Sequence, residues 1–139
     1  MALVVFSGGF DRVHYALVLA AAAAATGRPA TLLFTGRALR ALIEEDLPGV
    51  TGWHDLDPAD DGSRPVDRDR YFSHRGVATF EELLESCVAL GVRFIACEMG
   101  LRTLGSPADP RLRSDLPIAV AGVVTFLAAA PPGATTLFL

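Results

Sequence analysis

Two cysteines, Cys87 and Cys97, are the residues of this chain best suited to nucleophilic or group-transfer chemistry. Cys97 ends the apolar run Phe94-Ile95-Ala96 and is followed by Glu98, Met99, Gly100 and Arg102. A thiol that closes a buried strand and opens a helix lies among unpaired backbone N–H groups, and the helix dipole favours a thiolate there. Glu98 opposes that effect; Arg102 assists it if its side chain folds back. Met99 would give an apolar wall that limits water, and Gly100 would keep the first turn open. The competing reading makes Cys97 a small apolar residue in a core, since free cysteine is among the most buried residue types. Position alone leaves both readings open. Cys87 is different. It shares a helical face with Phe80, Leu83, Leu84 and Val88, which points to packing.

The glycine turn Ser7-Gly8-Gly9 follows the first apolar run. It lacks the third glycine of a dinucleotide fingerprint, and no acidic residue ends the second strand. A tight strand-to-helix turn is the simpler account, although its backbone N–H groups could still frame a pocket. The histidines, His14, His54 and His74, have no His or Cys partner at a metal-ligand spacing, and no metal site is expected. His14 falls in the first turns of a helix near the carboxyl ends of the strands, within reach of a site there. "DLDPADDG" fails the register of a calcium loop and reads as a solvated acidic loop. The chain has no lysine, which excludes a P-loop lysine and Schiff-base chemistry.

The elements that must hold these residues alternate. A strand from Leu3 to Phe6 leads into a helix over "DRVHYALVLAAAAAATG", with Asp11 as N-cap and Gly27 as stop. A strand from Ala30 to Thr35 and an amphipathic helix "RALRALIEE" follow. The pattern dissolves from Leu47 to Gly76, a segment rich in Pro, Gly and acidic residues that reads as a long irregular loop at about 47–76. Within it, Val50 to Arg75 is expected to be less ordered than the sheet, or ordered by a neighbouring subunit, with Trp53, Tyr71 and Phe72 as anchors. Helix "VATFEELLESCVALG", strand "VRFIAC", a short helix "EMGLRTLG" ended by Gly105, a connector, a strand and helix over "IAVAGVVTFLAAAPPG" and a last strand "ATTLFL" complete the chain. This is the signature of an α/β fold: three layers, flavodoxin-like, with a mostly parallel five-stranded sheet and helices on both faces. Ligands in such sheets bind beyond the carboxyl ends of the strands, here Ser7-Gly8-Gly9, Thr35-Gly36 and Cys97. If strands one and three are neighbours, the glycine turn and Cys97 share one site.

The 139 residues form one domain on this reading. A net charge of −4 argues against nucleic acid as a partner. The hydrophobic fraction of 51% and mean hydropathy of +0.38 leave apolar surface for a partner. The helix from Asp11 to Ala25 is apolar on more than one side, which points to a homo-oligomer. No secretory signal is visible. The Ala16–Ala25 run is too short to cross a bilayer, and Pro131-Pro132-Gly133 breaks the charge-free tail that starts at Leu116. A cytoplasmic, reducing location without membrane attachment is expected.

Three stretches in this order resemble the DsrE/DsrF-like family of sulfur-relay proteins. "LVVFSGGFDRVHYALVLAAAAAATGRPATLLFTGRAL" is similar to the family's opening strand, small-residue turn, Ala-rich helix and second strand. "FIACEMGLRTLG" is similar to its Ala-Cys-x-Met segment, and "IAVAGVVTFLAAA…TTLFL" to its closing helix and strand. Arg102 stands where the family often has an acidic residue. The resemblance implies a compact fold that assembles into dimers, trimers or hexamers. It also implies a persulfide on Cys97, handed from a sulfur donor to the thiol of an acceptor protein; no cofactor is expected, and Ser7, Gly8, Gly9, Met99 and Arg102 are the binding candidates that the residues themselves suggest around it. Some members of the family have no demonstrated chemistry. An oligomeric, non-catalytic small-molecule-binding or regulatory module of the same fold is therefore the alternative, and a redox-sensing thiol is a third.

Overall fold

The computed structural model describes residues 1–44, 52–104, 111–130 and 132–139. The strands are β1 (Ala2–Val5), β2 (Thr31–Phe34), β3 (Arg93–Cys97), β4 (Ile118–Ala121) and β5 (Thr136–Phe138). The helices are α1 (Phe10–Ala25), α2 (Pro65–His74), α3 (Phe80–Ala89), α4 (Glu98–Thr103) and α5 (Val123–Ala129). All five strands pair in parallel, in the order β4-β3-β2-β1-β5. The three-layer α/β architecture expected from the sequence is present. The adjacency considered for strands one and three is not: β2 lies between them, pairing Val5 with Phe34 on one side and Phe34 with Ala96 on the other.

This order explains the layers. From β1 to β4 the chain steps steadily in one direction, and right-handed crossovers put α1 and α3 on one face. The return from β4 across the sheet to β5 reverses direction and carries α5 to the opposite face. The first face is built from Leu3, Val5, Leu32, Phe34, Phe94 and Ala96, packed under the small-residue side of α1 (Val13, Ala16, Leu17, Ala20) and under Phe80, Leu84 and Cys87 of α3. The second holds Ala2, Leu33, Ile95 and Cys97 against Phe126 of α5.

Helix α3 starts with a capping box. The Thr79 hydroxyl accepts the Glu82 N–H, and the Glu82 carboxylate accepts the Thr79 N–H. Helix α1 opens on Gly9 rather than on an Asp11 cap. Asp11 instead accepts the Asp60 N–H and pairs with Arg68. Gly27, just past the C-cap Thr26, adopts φ +76°, the left-handed conformation expected of a stop.

Two expectations need correction. "RALRALIEE" does not form an α-helix; Gly36–Leu42 is a 3-10 helix that buries Ala38, Leu39, Ala41 and Leu42. The segment from about 47 to 76 is not an irregular loop throughout. Its residues 45–51 lie outside the described residues, but Gly52–Asp55 forms a 3-10 turn and Pro65–His74 forms α2. Pro65 occupies the first helical turn, where its missing N–H has no cost. Within the chain itself Trp53, Leu56 and Ala59 are buried and Phe72 packs against the core, while Tyr71 is exposed. Trp53 and Phe72 are anchors as expected; Tyr71 is not. The Trp53 indole N–H donates to Glu81 at 2.7 Å, and Glu81 in turn receives a forked pair from Arg113 at 2.8 Å. Arg113, whose side chain is 6% exposed, also grips Asp115, so the approach to β4 is clamped onto α3. The Gly105 stop and the connector at 106–110 lie outside the described residues.

Candidate functional site

The carboxyl edge of the sheet gathers Ser7 after β1, Thr35 and Gly36 after β2, and Cys97 at the end of β3, as expected. The two cysteines are free and lie on opposite faces. The Cys87 Sγ is fully buried and donates to the Leu17 carbonyl at 3.5 Å; burial pushes its thiol up to about 11. Cys97 is the N-cap residue of α4, with φ −68° and ψ 117°. It is 4% exposed, packs with Ile95, Ala121 and Phe126, and its Sγ has no hydrogen-bond partner among the described residues.

The residues expected around Cys97 take other positions. Met99 is 70% exposed and walls nothing off. Arg102 does not fold back to the thiol; it pairs with Glu98 one helical turn earlier, on the exposed side of α4. Gly100 is buried because α4 seats directly on the end of β2. A Cβ there would meet Leu39 Cδ1 at 2.5 Å and Thr35 Oγ1 at 3.1 Å.

The glycine turn is closed by a distant segment. Asp57 N–H donates to the Gly8 carbonyl and Phe10 N–H donates to the Asp57 carbonyl, while Gly9 N–H donates to Ser7 Oγ. A Cβ on Gly8 would meet Asp57 Oδ2 at 2.6 Å and Arg37 Cβ at 2.7 Å, so glycine makes room for the Arg37–Asp57 ion pair. His14 does not face the strand ends. It is buried against Phe10 and Phe72, and its Nε2–H donates to the Ala78 carbonyl.

Beside this turn lies a cleft of about 550 Å³ lined by Phe6, Ser7, Gly8, Gly36, Arg37, Arg40, Asp57, Thr103 and Leu104. Of the residues singled out from sequence, Ser7, Gly8 and Gly36 reach it; Gly9, Thr35, Cys97, Met99 and Arg102 do not line it. Sequence reasoning missed Arg37 and Arg40. Their signal was present: two arginines three residues apart, directly after the second strand's carboxyl end. Asp57 gave no signal, because it comes from a stretch that reads as solvated. Among the described residues no group of three or more His, Cys, Asp or Glu is placed to hold a metal ion, and no helix is long and apolar enough to cross a membrane.

No family model matches the chain. It is similar to the uncharacterized protein YrkE of Bacillus subtilis (strain 168), 28% identical over an alignment of 156 residues that covers 99% of this chain and 94% of that protein.

Proposed function

We propose that the protein is a small sulfur carrier, a sulfurtransferase-like relay that holds persulfide sulfur on Cys97. One observation carries this reading: Cys97 stands at the carboxyl edge of the sheet, where β3 turns into α4, whereas the only other cysteine is sealed in a helix–sheet core with its thiol held protonated. In the transfer step the Cys97 thiolate attacks the outer sulfur of a donor hydropersulfide. A new S–S bond forms, the donor's S–S bond breaks, and the donor sulfur leaves as a thiolate with the bonding pair. The reverse step delivers the sulfur to an acceptor thiolate. At 4% exposure Cys97 is covered by neighbours that include Phe126 of α5, and a small donor such as inorganic polysulfide requires less of that cover to move aside than a donor or acceptor protein does.

The reading includes a homo-oligomer (dimer, trimer or hexamer) in the reducing cytoplasm. Val123, Val124, Leu127 and Phe138 are exposed large apolar residues within a stretch free of charge from Leu116 onward, and Phe6 stacks on Phe138 beside them. Burying that surface against a second copy is favourable at roughly 25 cal/mol per Å². Sedimentation should give a multiple of 14.7 kDa, and Val124→Glu should lower it. A single-chain mass at micromolar concentration refutes the assembly.

The relay is tested by intact mass after incubation with polysulfide. Sulfur atoms should add to Cys97 and be lost in Cys97→Ala but not in Cys87→Ala. Loading on Cys87, or none at all, refutes it. A non-catalytic small-molecule-binding or regulatory module is the second reading, and the cleft favours it, because it is built at the strand ends without Cys97.

A further inference from the structure

We propose that the cleft at the carboxyl ends of β1 and β2 is a binding site for a small organic carboxylate, held by Arg40 with Ser7 and seated on the Phe6 ring. This goes beyond the relay, since Cys97 does not line the cleft. A volume of about 550 Å³ falls within the roughly 300–1,000 Å³ of small-molecule sites. Its polar side is not a random patch. Arg37 is committed: its Nε and Nη2 fork onto the two oxygens of Asp57, and the buried Gly8 is what makes room for that pair. Arg40 is not committed. It donates once, to the Asp55 carbonyl at 3.2 Å, and its other N–H groups have no partner among the described residues. Two guanidiniums against one carboxylate leave a single positive charge on the wall, which suits a monoanion. The Ser7 Oγ accepts from Gly9 N–H, so its own hydrogen remains to be donated to a ligand oxygen.

The other side is apolar. Phe6 is half exposed and Leu104 stands across from the turn. Gly36 adopts φ +53° with its backbone close enough to Phe6 that a Cβ would lie 3.1 Å from the ring. Only glycine combines that conformation with that approach, so the ring is held in place along the cleft. A guanidinium fork, one hydroxyl and an aromatic wall together recognise a carboxylate on a compact apolar body, not a bare oxyanion and not a neutral molecule.

The test is isothermal titration calorimetry on the intact protein and on Cys97→Ala, with benzoate, benzyl alcohol and inorganic sulfate as probes. Benzoate should bind both proteins equally, at least about tenfold more tightly than either of the others, since a charge-assisted hydrogen bond and an apolar contact each contribute about a factor of ten. Arg40→Gln should weaken benzoate about tenfold, while Arg28→Gln, the same charge change on an exposed residue before β2, should leave it unchanged. Asp57→Asn frees Arg37 and should tighten benzoate binding; a purely structural pair would give no such gain. No benzoate binding, equal binding of sulfate or of benzyl alcohol, or equal losses in Arg40→Gln and Arg28→Gln overturns the proposal. Because Cys97→Ala removes the persulfide site and leaves the cleft, failure here and failure of the relay are read separately.

Discussion

Among the described residues, one face of the sheet is covered more fully than the other. Under α1 and α3, Phe10 is surrounded by the rings of His14, Trp53, Phe72 and Phe80 at 5.7–6.1 Å, and Cys87 is closed in behind them. Across the sheet, the seven-residue α5 contributes one buried side chain, Phe126, and turns Val123, Val124 and Leu127 outward. The first face received a sixteen-residue helix with seven alanines, which shares one core cluster with side chains of β1, β2 and β3. The second received a short helix on the return crossover. Each face buries one cysteine, but the thiol on the first is locked and the thiol on the second sits at the rim, under the thinner layer. Where the chain spends less cover, large apolar side chains stay exposed and a cysteine lies at a strand end.

The most direct way to break this comparison is to truncate one aromatic on each face. Phe10→Ala should cost about 4 kcal/mol, in the range for a fully buried ring whose neighbours cannot close the hole. Phe126→Ala should cost about 3 kcal/mol or less in dilute protein, since its cluster (Ala2, Leu33, Ile95 and Cys97, with Val4, Ala121 and Ala130 against it) is far smaller than the one around Phe10. If a second copy completes the second face, the Phe126→Ala cost should rise with protein concentration and the Phe10→Ala cost should not. Chemical denaturation at two concentrations checks both. Equal costs, both independent of concentration, would mean the faces are equally complete.

The charged clamp on the first face sharpens the comparison through pH. Burial pushes the Glu81 carboxyl up, but the Arg113 fork and the Trp53 indole N–H hold it below its usual range on balance. The hydrogen bond from Arg113 also holds Asp115 low. A carboxyl depressed in the folded state stabilises above its unfolded pKa, and that contribution is lost as pH falls through the folded value. Asp69, raised by burial, has the opposite sign and favours the folded state when protonated. Arg113→Met should cost about 2 kcal/mol at pH 7, less than a fully buried pair, because the carboxylates left behind keep much of their solvent. The gap between wild type and variant should narrow in acid, once both carboxyls are protonated. A gap that stays constant from pH 7 down to acid would remove the clamp from the account.

How much of this could be read from the residues depended on whether a signal was local. The strands, α1, α3 and the position of Cys97 at a strand end follow from apolar runs and periodicity within single windows. Helix α2 was hidden because its sequence, PVDRDRYFSH, shows no apolar stripe; it is held by Val66 and Phe72 and by Arg68 reaching Asp11 and Asp61. The 3-10 helix at Gly36–Leu42 has apolar spacing that also suits an α-helix, and Gly36 with its positive φ departs from it at the start. The glycine turn was legible as a turn, but not the Asp57 that closes it, since that contact joins residues about fifty positions apart in sequence.

A smaller effect is expected at Cys87. Serine there can keep the donation to the Leu17 carbonyl, but it buries a more polar group in an apolar interface. Cys87→Ser should cost about 1–2 kcal/mol. In the wild type, the thiol held up at about 11 should make the folded state lose stability as pH rises above the unfolded value of 9.0. The variant should not share that part of the alkaline loss, which a pair of denaturation series between neutral and alkaline pH would detect.

The smallest change in stability is expected at Cys97, and the reason lies in its place at the start of α4. Serine in that apolar rim costs burial of a hydroxyl, about 1 kcal/mol or more when unpaired. The N-cap position changes the balance. With φ −68° and ψ 117°, residue 97 has the extended backbone of a cap, and the present side chain makes no capping bond. A serine oxygen there can accept the N–H of Met99 or Gly100, and a capping serine is worth about 1 kcal/mol over a residue that cannot cap. The two effects offset, so Cys97→Ser should unfold within about 0.5 kcal/mol of wild type, while carrying no persulfide. Cys97→Ala lacks the cap and should be the less stable of the two, in spite of its apolar side chain. If Cys97→Ser loses 2 kcal/mol or more, the residue belongs to the core as firmly as Cys87 does, and the contrast between the two cysteines no longer holds.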